Sequence, residues 1–203
     1  MTLTRIAALA VLSVGFGALA QAQIFDNFGG GNTYNGGTGW TISGPGSGVG
    51  DNQQGEQFTA GQTALAGTLD IAMGNVTGTP SVTMSLYMDS GGTIGSQVGS
   101  SVTVATNPGS FGAGTEYVST NVSGAGWNVT NGNQYWLVAV SASDAWHAWN
   151  WNSTGDTGGH WWNGGGYSSQ THGAFRLNAV PEPATMIALG AGLAALAARR
   201  RRK

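Results

Sequence analysis

The stretch SVTMSLYMD, residues 81–89, sends Val82, Met84, Leu86 and Met88 to one side and Ser81, Thr83, Ser85, Tyr87 and Asp89 to the other. Strict alternation of this kind fits a half-buried strand, because successive side chains of a strand point to opposite faces. The pattern recurs along the chain. LAGTLDIAM puts Leu65, Gly67, Leu69, Ile71 and Met73 on one face, and SVTVAT and EYVSTNV keep the same period. In WNVTNGNQYWLVAVSA, Asn131 and Gly132 separate two apolar runs. That is a hairpin signal, since both residues tolerate positive φ. No stretch of the body sustains a helical period. Many short strands divided by Gly-rich turns predict an all-β fold, an antiparallel β-sandwich of jelly-roll type.

The two ends of the chain follow other rules. MTLTRIAALAVLSVGFGALAQAQ has one cation, Arg5, then an apolar run to about Ala20, then small residues at Ala20 and Ala22. This is the layout of a secretory signal peptide, a helix over 1–22 cleaved after Ala22 and handled by the general secretion machinery. The exported domain is then 23–179, and 180–203 is a separate C-terminal segment.

Charge narrows what the body can do. Between residues 23 and 180 the only cation is Arg176, against Asp26, Asp51, Glu56, Asp70, Asp89, Glu116, Asp144 and Asp156. A body with one cation cannot neutralise a phosphate backbone, which excludes nucleic acid as a partner. Gly-rich, low-charge chains are often disordered, but the 8 tryptophans and the alternating Val, Leu, Ile and Met supply a core. With no cysteine in the chain, thiol catalysis and Cys-based zinc sites are excluded.

The C-terminal segment reads VPEPATMIALGAGLAALAARRRRK. As a helix, 184–198 would span about 22 Å, short of a hydrocarbon core of about 30 Å. It is a weak transmembrane helix suited to a transient stay in the membrane. Arg199, Arg200, Arg201, Arg202 and Lys203 form a basic stop on the cytoplasmic side. Pro181 and Pro183 keep the helix from extending backwards, so Val180, Pro181, Glu182 and Pro183 form an extended motif just outside it. This order of motif, short apolar helix and Arg cluster resembles the PEP-CTERM sorting signal. The resemblance implies an exosortase-like membrane protease that reads Pro-Glu-Pro and removes the helix and basic tail. It also implies an exported protein of a Gram-negative-type bacterium that makes extracellular polysaccharide, delivered from the inner membrane to the cell surface or matrix.

The body has a likeness of its own. GEQFTAG (55–61), TLDIAMGNVTGTPSVTMSLYMDSGGTIGSQVGSS (68–101) and NVTNGNQYWLVAVSA (128–142) occur in an order that resembles the choice-of-anchor extracellular domains of type R. That resemblance implies a secreted β-sandwich joined to one of several surface anchors, with no activity to carry over.

The most distinctive segment of the body is SDAWHAWNWNSTGDTGGHWWNGGGYSS, 143–169. Indole faces stack on sugar rings while neighbouring amides bond the hydroxyls, so Trp149, Trp151, Trp161, Trp162 and Tyr167 are the candidate glycan contacts. The alternative is that they fill the core. Asp51, Asp70, Asp89 and Asp156 lie outside any calcium-loop pattern, and His147, His160 and His172 lack zinc spacing, so no metal is expected. A jelly-roll glycosidase would need two carboxyls across a cleft. Glu56 and Glu116 are the body's only glutamates, and each reads as a polar residue on the solvent face of a strand.

The sequence therefore points to an exported, non-enzymatic protein of the cell surface or extracellular matrix, without a cofactor and associated with exopolysaccharide and biofilm. A carbohydrate-binding module using 146–167 is the first alternative, and a glycoside hydrolase the second.

Overall fold

The alternating segment at 81–89 is a strand, β6 (Ser81–Asp89), of a six-stranded sheet. The computed structural model describes residues 22–111, 117–163 and 166–181. In spatial order the sheet runs β14 (Gly166–Thr171), β13 (Thr157–Trp162), β3 (Gln54–Thr59), β11 (Gln134–Ser141), β6 and β7 (Ile94–Ala105). The antiparallel register sets Leu137 opposite Leu86 and Ala139 opposite Met84, which aligns the apolar sets of β11 and β6 on one face. Val82, Met84 and Leu86 are buried as the alternation requires, whereas Met88, at the strand's outer end, is exposed. β11 is buried on both faces, with Trp136 and Val138 covered on the side away from the core.

A second sheet holds β1 (Gln23–Asp26), β15 (Phe175–Ala179) and β4 (Ala64–Ile71), with β9 (Val118–Asn121) and β10 (Asn128–Val129) also on β4. The third runs β2 (Tyr34–Ser43), β12 (Trp146–Asn152), β5 (Met73–Thr77) and β8 (Asn107–Pro108). Pairing among the described strands is antiparallel except between β5 and β8. Described helix is confined to the 3₁₀ turn Ser123–Ala125.

All three sheets contribute to one core, through Leu86 and Leu137, Leu69 and Leu177, and Met73 and Trp149. Each such side chain contributes roughly 1.5–3 kcal/mol by leaving water. The described chain is thus all-β and antiparallel, as expected, with its strands divided among three hydrogen-bonded sheets. The run LAGTLDIAM shows how the third arises. It is two strands, handed from the second sheet to the third at Ala72, whose amide donates to Ala174 O at 3.0 Å and whose carbonyl accepts from Asn150 at 2.9 Å.

The Asn131-Gly132 turn exists, with Gly132 at φ 80, but the strands it joins do not pair. β10 pairs with β4, while β11 pairs with β3 and β6. The Gly132 amide donates to Ala60 O at 2.8 Å, and the Ala60 amide donates to Asn133 O at 3.0 Å. Docking on Ala60 makes the turn a corner between sheets, not a hairpin. Gln23 pairs with Asn178, so the first and last strands of the compact unit Gln23–Val180 lie side by side. No helix among the described residues is long and apolar enough to cross a membrane, and the anticipated helices over 1–22 and 184–198 lie outside them.

Candidate functional site

Two adjacent tryptophans on β13 part company because strand side chains alternate. Trp161 turns to the outer face, where its ring lies over Gly55; a Cβ added there would sit 3.4 Å from Trp161 Cε3. Trp162 and His160 turn to the inner face. The His160 imidazole stacks on Trp40 of β2 at 4.1 Å and 23°, and Trp162 stacks on His160 at 5.7 Å and 28°. Trp40 is held by a 3.0 Å bond from its Nε1 to Thr171 O, and by Trp151, edge-on at 5.4 Å. Trp40, Gln54, His160, Trp162 and Gln170 line an open cleft of about 250 Å³.

Behind this cleft lies a sealed polar network. Glu56 is 0% exposed, against the sequence expectation of a solvent-facing residue. It stands opposite His160 in the β3–β13 pair, and the segment of His172 and Gly173 meets its carboxylate. Its Oε2 lies 3.3 Å from His160 Nδ1 and 3.8 Å from His172 Nε2, while Oε1 accepts from the Gly173 amide at 3.0 Å. His172 Nδ1 in turn lies 2.9 Å from Asp156 Oδ2, which also accepts from Asn27 Nδ2 at 3.0 Å. Burial pulls the His172 pKa down, but the Asp156 hydrogen bond and the charges of Glu56 and Asp156 outweigh it, and the net shift is upward. Burial likewise raises Asp156, yet the bonds from His172 and Asn27 carry its pKa below the usual range. His172 and Asp156 thus each favour the other's charged form.

The outer face has its own aromatic set. Tyr167 is exposed, packs edge-on over buried Trp136 at 5.4 Å, and accepts at its hydroxyl from the Ile94 amide at 3.0 Å. Asp89 takes bonds from Trp136 Nε1 at 2.7 Å, Gln57 Nε2 at 2.8 Å and the Gly92 amide at 3.0 Å. Its burial raises the pKa, but these donors bring it below the ordinary value.

The five candidate glycan contacts thus scatter. Trp149 is fully buried, with Nε1 bonded to Ala174 O at 3.2 Å and its ring edge-on to Phe175, so it offers no face to a ligand. Both faces of β12 are covered at that point, since Ala148 and Asn150 on the opposite face are as buried as Trp149, which packs on Phe175 of the second sheet. Trp151 buttresses Trp40, Trp162 lines the cleft, and Trp161 and Tyr167 belong to the outer face. Sequence reading missed Trp40, Gln54 and Gln170. Trp40 had one usable signal, a lone large aromatic in the small-residue run GGTGWTIS.

Asp70 and Asp26 are engaged by Arg176. Asp70 Oδ2 lies 2.7 Å from Arg176 Nη2, and the Asp26 carboxylate is 3.7 Å from Nη1. Among the described residues, no three His, Asp or Glu side chains come together as a metal-holding group.

Of the anticipated terminal sites, Ala22 is exposed. The Val180 amide donates to Leu65 O at 2.8 Å, so the motif's first residue lies where β15 leaves the sheet. Ala20, Glu182, Pro183, Arg199, Arg200, Arg201, Arg202 and Lys203 lie outside the described residues. No curated protein matches the chain. Residues 179–202 match the PEP-CTERM protein-sorting motif. The chain therefore carries a PEP-CTERM sorting motif, which marks it as an exported protein handled by an exosortase in the membrane on the way to the cell surface.

Proposed function

We propose that this is a non-enzymatic protein of the cell surface or extracellular matrix, whose exported domain associates with extracellular polysaccharide and the biofilm it forms. The observation that carries the reading is the open cleft walled by Trp40 and Trp162 with two glutamine amides beside them. Aromatic faces with neutral donors and acceptors suit a polyhydroxylated ring, and the sorting motif takes that surface to where such polymers lie. The engagement of the acids supports a role without hydrolysis. Glu56 is sealed and holds a backbone amide, and Asp70 and Asp156 are occupied by Arg176 and His172. The same cleft favours the narrower reading of a dedicated carbohydrate-binding module.

The test is tryptophan fluorescence of the Gln23–Val180 unit during titration with the exopolysaccharide of the producing cell. A saturable shift without release of reducing ends is expected. Release of reducing ends that is lost in Glu56→Gln would make the protein a glycosidase instead.

A further inference from the structure

The lining of the cleft carries the matter further than a general affinity for polysaccharide. Gln54 is 6% exposed and its Nε2 donates to Thr41 O at 2.9 Å. A carbonyl can only accept, so that bond fixes the amide orientation and leaves Oε1 as the unpaired half of the amide. Oε1 has no hydrogen-bond partner. A buried acceptor in this state costs about 1–3 kcal/mol, which a hydroxyl donor entering the cleft would recover. The wall therefore combines indole faces with an acceptor that lacks a donor.

Charge then selects among sugars. Arg176 is the only cation between residues 23 and 180. It is committed to Asp70 at 2.7 Å and to Asn32 Oδ1 at 2.8 Å. No lysine or arginine lines the cleft, and Glu56 lies directly behind its His160 wall. A uronate, sulfate or phosphate would be desolvated there without a counter-charge. Size limits the occupant as well. At about 250 Å³ the space is below the roughly 300–1,000 Å³ of pockets that enclose drug-sized ligands.

From these observations we infer that the Trp40–Trp162 cleft is a binding site for a single uncharged sugar ring of a neutral glycan, stacked on Trp162 with a ring hydroxyl donating to Gln54 Oε1. This rests on the reading of the domain as a polysaccharide-associated protein and specifies where and to what it binds.

The experiment is calorimetric titration of the Gln23–Val180 unit with two sets of oligosaccharides of equal length, neutral hexose oligomers and oligouronates. Wild-type, Trp162→Ala, Gln54→Met and Trp161→Ala/Tyr167→Phe proteins are compared, each confirmed to be folded by a cooperative urea transition. Neutral oligomers are expected to bind, with affinity down at least 10-fold in Trp162→Ala and in Gln54→Met and unaltered in the outer-face variant. Raising salt should leave that affinity unchanged. Oligouronates binding as well as neutral oligomers would overturn the assignment of charge class. Binding lost in the outer-face variant but kept in Trp162→Ala would overturn the cleft while leaving polysaccharide association intact. If no wild-type binding is seen to these oligomers or to the native exopolysaccharide, the site and the association fall together.

Discussion

Glu56 Oε1 and the backbone amide of Gly173 are 3.0 Å apart, and both are closed off from water. One side chain of β3 thereby fastens the segment that leads into the last strand. Replacing Glu56 with alanine would orphan that amide and remove the partner of His160 and His172. Glu56→Ala is expected to lower stability by about 3 kcal/mol, read as a fall in the urea midpoint. Glu56→Gln keeps an acceptor for Gly173 and should lose less, while the His172 pKa, followed by NMR, should drop. An unchanged midpoint in the alanine variant would show that the network is idle.

Stability should fall on both sides of neutral pH, for two histidines with opposite shifts. His172 has a raised folded pKa, so its contribution is complete below about 6.5 and is lost as pH rises through the folded value. His147, with 0% exposure, is held neutral by burial, its pKa lowered from 6.5 to about 4. Its neutral form is matched to the fold above 6.5, and stability declines as pH drops toward 4, by about 3 kcal/mol. Asp156 adds a further loss at lower pH, as its depressed carboxylate becomes protonated. Urea midpoints across pH should show both slopes. His172→Gln should remove the alkaline one and leave the His147 part of the acid one, and a profile unmoved by that substitution would contradict the pairing with Asp156.

Close approach, not a turn, explains Gly173. A Cβ there would lie 2.4 Å from Trp149 Nε1 and 2.5 Å from Cε2, inside a ring that cannot yield because it is buried. Gly173→Ala should therefore cost about 1–3 kcal/mol. Gly124→Ala, where nothing lies within 4 Å, should be near neutral. Equal melting behaviour of the two variants would mean that Trp149 is not seated as described.

The strands were legible in the sequence because β6 and β4 obey a period of two, and burial of one face enforces it. The sheets were not, because LAGTLDIAM reads as one strand when nothing local marks the hand-over at Ala72. The Asn131-Gly132 turn was correctly placed and wrongly paired for a similar reason. Its local chemistry fixes a reversal, and only Ala60, far away in sequence, decides which sheets it joins. Trp162 was legible as a candidate by type. The cleft was not, since it needs Trp40 and Gln54 from other strands, and Glu56 looked solvent-facing until its cross-strand partner was known. The sorting motif was fully readable, because its meaning lies in local order and spacing.

The tryptophans divide by position, and substitutions should sort them. Trp127, Trp136 and Trp149 are 0% exposed, and alanine at any of them should cost about 3–5 kcal/mol. Trp161 and Trp162 keep part of their surface in water. Alanine there should cost clearly less, since less apolar area returns to solvent. Acrylamide quenching should follow the same division, with the quenchable fraction reduced in Trp161→Ala and Trp162→Ala. A Trp149→Ala protein as stable as Trp162→Ala would contradict the burial of Trp149.

The last prediction concerns the tail. The bond from the Val180 amide to Leu65 O ends the sheet one residue before Pro181, so a protease meets the motif directly after folded structure. Pro181 and Pro183 carry no amide hydrogen, so neither can donate a hydrogen bond that would draw the segment into a helix. Glu182 is the motif's only charged side chain. In the producing cell, Glu182→Ala or Pro183→Ala should leave a membrane-associated chain that still ends in Arg199–Lys203, detected by intact mass, while the domain folds as before. Lys203→Ala, which leaves the Pro-Glu-Pro and four arginines in place, should be processed normally. Normal processing of Glu182→Ala would mean that the apolar segment and basic stop suffice for recognition, and that the Pro-Glu-Pro is not what the exosortase reads.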